Sequence, residues 1–356
     1  MIDRQALFSG TEAPPPHLAL DLIRLAAWLG DRLDGIGPSL EAEKFKGGQS
    51  NPTYLLTGAE QSYVLRRRPP GRLIKSAHAI DREYRVLAAL SSAGFPVPRP
   101  YLYCDDEDVI GSQFYIAEHV AGRVFWEATL PDVASVERGL IYDGMNTTLA
   151  ALHDLDPAAI GLADFGRAGG YAARNLARWA GVYRESQLLD IADMDWLIDA
   201  LPATLPTRET VALIHGDYGL YNIIVDPAQP SPRAVLDWEM ATLGEPLIDL
   251  AHHLRAWWEP PETGGAATTL VGADLDTLGI PDPQAYVDAY CARRAIAVPD
   301  MRWYLAFAQF RYAAMIQGIL KRARDGTSSS RNVLHRQQRV AEIAGLARRT
   351  LERSPK

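Results

Sequence analysis

Residues 211–250 read VALIHGDYGLYNIIVDPAQPSPRAVLDWEMATLGEPLIDL, and their pattern decides the architecture. An apolar run, Val211 to Ile214, ends in His215-Gly216-Asp217. Asn222 follows five residues later and opens a second apolar run, Ile223 to Val225. A third run, Ala234 to Leu236, delivers Asp237. Short apolar runs bounded by Gly, Pro, Asn and Asp read as buried strands joined by polar loops. Two carboxylates and a carboxamide therefore stand at strand ends on one rigid platform.

That set of groups suits phosphoryl transfer from a nucleotide. One carboxylate accepts the proton of an attacking hydroxyl, while a second carboxylate and an amide oxygen hold hard cations against the developing phosphate charge. An Asp-x-x-x-x-Asn spacing followed by a strand-borne Asp is the arrangement kinases use.

Working outward, the preceding sequence changes character near residue 120. Strand-like runs are expected at 40–46, 53–58, 62–67, 100–104 and 113–118, with one helix at about 77–93 that Gly94, Pro96 and Pro98 stop. Tight turns between successive strands favour an antiparallel sheet of about five strands. A further helix is expected over 17–35, where Leu18, Leu22, Leu25, Ala26, Leu29 and Leu33 share a face. After Gly122 helices are expected at 132–153, 171–187, 190–201, 246–258, 283–295, 300–324 and 332–352. The fold class is α+β: a sheet lobe, residues 1–120, and a mainly helical lobe, residues 121–356, with a ligand cleft at the junction.

HGDYGLYN, DWE and GEPLIDLA together resemble the aminoglycoside phosphotransferase family, part of the protein-kinase-like superfamily. The resemblance is collinear over about residues 40 to 260. It implies a two-lobed kinase-like fold, with Asp217 as catalytic base and Asn222 and Asp237 as Mg²⁺ ligands. It also implies that His215 and Asp249 brace the loop. YVLRRRPPG, Ser76-Ala77-His78 and IDREYRVLAAL narrow the similarity to the kinase-like domain of some acyl-CoA dehydrogenases. There the known chemistry includes phosphorylating a hydroxyl on an acyl chain.

The first lobe supplies candidate nucleotide contacts. Lys46-Gly47-Gly48-Gln49-Ser50-Asn51 lies between two expected strands, where glycine lets backbone amides approach phosphate. Arg66 stands where kinases carry the lysine that binds the α- and β-phosphates, and Glu83 where its partner carboxylate belongs. Arginine keeps the charge and binds phosphate bidentately, but is bulkier. Backbone groups of Glu118 and Val120, at the lobe junction, are expected to hold adenine.

Composition narrows the function. A net charge of −8 argues against a general nucleic-acid binder. The longest apolar runs fall short of the ~18 residues of a membrane span, and MIDRQALFSG lacks the layout of a secretory signal. Cys104 and Cys291 have no metal-type spacing, so a reducing cytoplasm is the default. Residues 311–356 hold eleven Lys/Arg against three Asp/Glu. Either this is a solvated basic face or it draws in an anionic substrate.

Other residues have ordinary readings. His252 and His253 read as packed or capped histidines rather than metal ligands. Trp303, Phe307, Phe310 and Ala314 form a core stripe at helical spacing, and Glu239 is a lesser candidate for a second metal. The expected activity is ATP- and Mg²⁺-dependent transfer of the γ-phosphate to a hydroxyl of a small molecule, with an anionic hydroxyacyl-type acceptor favoured. The alternatives are an aminoglycoside phosphotransferase proper and a nucleotide-binding pseudokinase that acts as an interaction module. A protein kinase is disfavoured, because the segment from Asp237 to Gly244 is too short to hold a peptide. The sequence leaves the oligomeric state and the choice between ATP and GTP open.

Overall fold

A computed structural model describes residues 4–37, 39–47, 51–69, 79–261, 269–325 and 337–353. Gly48, Gln49, Ser50, Ser76-Ala77-His78, Arg331 and Arg336 lie outside them.

The sheet lobe holds six antiparallel strands among the described residues: β1 (Thr11–Glu12), β2 (Glu41–Phe45), β3 (Thr53–Thr57), β4 (Ser62–Arg67), β5 (Pro100–Cys104) and β6 (Phe114–Glu118). Their spatial order is β1-β2-β3-β4-β6-β5. Five of them occupy the expected runs, and β1 was not anticipated. A two-residue edge strand has no periodicity to read; only its pairing with Lys44 and Phe45 defines it. Along β4, Tyr63 and Leu65 point into the core, as alternation requires. Leu65 is fully buried, so Leu65→Ala would cost about 2–5 kcal/mol.

The helix expected over 17–35 is shorter: a 3₁₀ turn at Pro16–Leu18 is followed by α2 (Leu22–Leu29), after α1 (Arg4–Phe8). Asp21 divides them, because its carboxylate accepts from the Arg24 amide and caps the new helix. On α3 (Ile80–Ser92), Glu83, Val86, Leu87 and Leu90 share the buried face at three- and four-residue spacing.

The second lobe contains α4 (Ser135–Asp154), α5 (Tyr171–Ser186), α6 (Ala192–Ala203), α7 (Pro246–His253), α8 (Arg255–Trp258), α9 (Leu275–Leu278), α10 (Pro283–Arg293), α11 (Arg302–Arg324) and α12 (Gln337–Glu352). The helix expected at 246–258 breaks at Leu254, whose ψ of 3° leaves the helical region. Trp303, Phe307, Phe310 and Ala314 are buried in the core formed with α5, α6 and α12, as their spacing indicated. Between helices lie two hairpin-like pairs. β7 (Ala212–Ile214) pairs with β10 (Thr242–Gly244), and β8 (Ile223–Val225) pairs with β9 (Pro232–Val235). Leu213, Ile223, Val225 and Val235 are buried in one core with α4, which makes the platform rigid.

Candidate active site

The loop 215–222 leaves β7 and enters β8, and α7 clamps it. Asp249 on α7 is fully buried and accepts from two loop amides, His215 N at 2.8 Å and Gly216 N at 2.9 Å. His153 on α4 approaches the same carboxylate at 3.2 Å. Burial would raise the Asp249 carboxyl, but the His153 hydrogen bond and the neighbouring amides outweigh it and hold it at about 2. One turn further along α7, His253 reaches Tyr218 O and the Tyr286 hydroxyl. Gly216 has φ +82°, and a Cβ there would lie 2.8 Å from Met240 O, so glycine is required at this turn. Arg311 on α11 donates to Gly216 O at 2.8 Å.

His215 links this loop to the third run. Its Nδ1 accepts from Asp217 N at 3.2 Å, and its Nε2–H donates to Leu236 O at 2.8 Å, which fixes the tautomer. The residue after Leu236 is Asp237, in the left-handed region at φ 64°, ψ 64°. A non-glycine residue held there costs of order 1–3 kcal/mol, and such outliers cluster at functional sites.

Asp217 is one-third exposed, and its two oxygens have different surroundings. Oδ1 accepts from the Tyr221 hydroxyl at 2.8 Å and from His252 Nε2 at 2.9 Å. Oδ2 receives only a long contact, 3.3 Å from Asn222 Nδ2. Burial would raise this carboxyl; the His252 hydrogen bond, the Arg255 charge and the Tyr221 hydrogen bond hold it well below the usual carboxylate range. It is ionised at neutral pH.

Asn222 Nδ2 also donates to Asp217 O at 2.9 Å, which leaves its side-chain oxygen as the group for a cation. Asn222 and Asp237 line the same cavity, of about 1040 Å³, between the lobes. Their donors are hard oxygens. Mg²⁺ is commonly held by one or two such protein groups together with phosphate oxygens, so the pair fits that ion.

The sheet side of the cavity brings together several of the expected nucleotide residues. Arg66 Nε bonds Glu83 at 3.0 Å, and its terminal nitrogen reaches Asp237 at 2.6 Å and Glu239 at 3.5 Å. Tyr115 donates to the other Glu83 oxygen. Burial pushes the Glu83 carboxyl up while Arg66 pulls it down. Gly47, Glu118 and Val120 line the same cavity; Asn51 is buried and does not. Gly48, Gln49 and Ser50 fall outside the described residues.

Three features went unread in the sequence. Tyr221 and His252 both touch Asp217, and Arg255 donates to the Tyr221 hydroxyl at 3.1 Å. Asp249, His252 and Arg255 follow at three-residue spacing from α7 into α8, which was the available signal. His252 and His253 are packed, as expected, and His252 has the further role of touching the candidate base. The N-terminal segment also reaches the cavity. Gln5 donates to Val124 O and accepts from Trp126 N, and Phe8 meets the Trp126 ring at 5.0 Å.

The basic C-terminal stretch is not a uniform solvated face. Arg311 and Arg339 are buried, the first on Gly216 O and the second against Glu259 at 2.6 Å, and Lys321 pairs with Asp325. The two arginines satisfy buried acceptors where α11 and α12 pack within the second lobe, while the Lys321–Asp325 pair is exposed.

Residues 41–287 match the Phosphotransferase enzyme family. The chain is 38% identical over 97% of its length to rat acyl-CoA dehydrogenase family member 11. It is 40% identical over 90% of its length to the human protein of that name. It spans 45% and 41% of those two proteins, less than half of each. A Ralstonia eutropha structure classed with the aminoglycoside phosphotransferases superposes with a TM-score of 0.85 and 40% identity, covering 95% of this chain and 100% of that one. Plasmodium vivax ethanolamine kinase, at 13% identity, covers 89% of this chain and 86% of its own, with a TM-score of 0.58, and shares the fold. With a kinase-like fold, the HGD loop and a family match spanning most of its length, the chain belongs to the phosphotransferase enzyme family.

Proposed function

We propose that the chain is an ATP-dependent small-molecule kinase that transfers the γ-phosphate to a hydroxyl of an anionic, hydroxyacyl-type acceptor. The observation that carries the reading is the ionised Asp217, whose Oδ2 carries one long contact, from Asn222, a residue that lines the cavity together with Asp237. Residues 1–120 are taken as the nucleotide lobe and 121–356 as the acceptor lobe. Gly47, Arg66, Glu118 and Val120 would hold the nucleotide, and Arg66 would be oriented by Glu83.

In this reaction Asp217 Oδ2 takes the acceptor's hydroxyl proton. The acceptor oxygen bonds to the γ-phosphorus as the bond to the bridging oxygen breaks, and ADP leaves. A carboxylate held so far below its usual range is a weak base. That suits a loose transition state in which the proton moves late. Mg²⁺ held by Asn222 and Asp237 would neutralise charge on the phosphates. The remaining contribution is positioning, which the α7 clamp supplies.

The anionic preference rests on Arg255. It is one-fifth exposed, touches the Tyr221 hydroxyl and pairs with Glu259. A guanidinium group beside the base can bind a phosphate or carboxylate of the acceptor bidentately, and it repels a polycationic aminoglycoside. The names of the curated relatives agree with an acyl-CoA carrying a hydroxyl group.

The test is ADP release and phosphorus NMR with hydroxyacyl-CoA compounds, aminoglycosides, amino alcohols and sugars. A phosphate monoester on the hydroxyacyl-CoA, with KM rising with salt, is expected. Efficient phosphorylation of kanamycin-type compounds would overturn the acceptor assignment. ATP binding without transfer to any acceptor or to water would favour the pseudokinase alternative.

A further inference from the structure

His252 stands outside the motifs that define the loop, yet it sits against the reacting carboxylate. It is 5% exposed on α7, one turn beyond Asp249, and its Nε2 lies 2.9 Å from Asp217 Oδ1. Its Nδ1 is buried and has no hydrogen-bond partner among the described residues. The carboxylate oxygen can only accept, so Nε2 carries the hydrogen; a second hydrogen on Nδ1 would find no acceptor among the described residues, which favours the neutral ring. Burial, with Arg311 nearby, also disfavours a charged ring. Tyr221 supplies the second donor to the same oxygen, and the Arg255 guanidinium polarises that hydroxyl.

We infer that His252 is a positioning residue: with Tyr221 it occupies Oδ1 and reserves Oδ2 as the proton-accepting atom of Asp217. A neutral donor suits the task, since it fixes the carboxylate without cancelling the negative charge the base needs. A buried nitrogen without a partner lowers stability, so the ring is kept at the expense of stability. Leucine would fill the same space without that cost. The inference rests on Asp217 being the base.

The test uses the full chain with Mg²⁺ and ATP, water as acceptor, and ADP release as the readout. His252→Leu should lower kcat about 10- to 100-fold, the scale of a small misplacement of a reacting group. The KM for ATP should not move, because His252 does not line the nucleotide cavity. His252→Gln, whose amide can reach Oδ1, should recover most of the rate. His252→Asn, one carbon shorter, should not, at a similar melting temperature. Equal rates for the Gln and Asn variants would overturn the inference even where the Leu variant does not fold. So would a Leu variant as fast as wild type. Asp217→Asn separates the two levels. If it keeps full turnover, the base assignment fails. If it is inactive while His252→Leu is fully active, only the role of His252 fails.

Discussion

The two walls of the cavity are built differently. The wall that holds Asn222 carries the candidate base behind it and is held within one lobe: Asp217 is fixed by Tyr221 and His252, and its loop by Asp249, His215, His253 and Arg311. Most of those anchors are buried, and each bond joins elements packed in the same lobe. The nucleotide wall depends on Arg66, which is paired with Glu83 in its own lobe and reaches across the cleft to Asp237 and Glu239. The difference separates two tasks. On the proposed reading, the group that takes the proton is placed by hydrogen bonds inside one lobe, and the group that would hold phosphate is placed by charge across the cleft.

The largest effect should come from removing the base while leaving its shape. Asp217→Asn should lower turnover by about 10²–10⁴, the range for loss of a general base. ATP affinity should change little, because Asp217 does not line the cavity proposed for the nucleotide. Wild-type turnover with a competent acceptor would break the comparison on its catalytic side.

Next in size is the clamp. Asp249→Ala leaves two loop amides and His153 without their shared acceptor. Breaking a buried interaction of this kind costs about 3–5 kcal/mol, to be read from denaturant unfolding. An effect under 1 kcal/mol would mean that the loop is held by packing alone.

Smaller effects are expected on the nucleotide wall. If Arg66 binds phosphate and Glu83 orients it, Arg66→Ala and Glu83→Gln should be non-additive on ATP affinity by about 0.5–3 kcal/mol in a double-mutant cycle. Additive effects would mean that Glu83 serves only the sheet lobe.

Much of this was legible in the sequence, for local reasons. β2 to β6 and the longer helices of the second lobe fall in the runs expected for them, and the 211–250 stretch carries its own strands and polar ends; α9, four residues long, was not anticipated. What was missed is tertiary. β10 is three residues long and exists only by pairing with β7. The break at Leu254 lies within one apolar helical pattern. His252 is 35 residues from Asp217, and its contact depends on how α7 lies against the loop. Arg311 and Arg339 read as surface charge because sequence does not give the direction of a side chain, and packing turned both inward.

The separation of the two walls is tested most directly by calorimetric titration of ATP, with Mg²⁺ and with EDTA, into the wild type, Asp217→Asn and Asp237→Ala. The wild type and Asp217→Asn should bind ATP appreciably more tightly with Mg²⁺, while Asp237→Ala should lose that difference. Equal affinity with and without metal in the folded wild type, or loss of the difference in Asp217→Asn, would contradict the account.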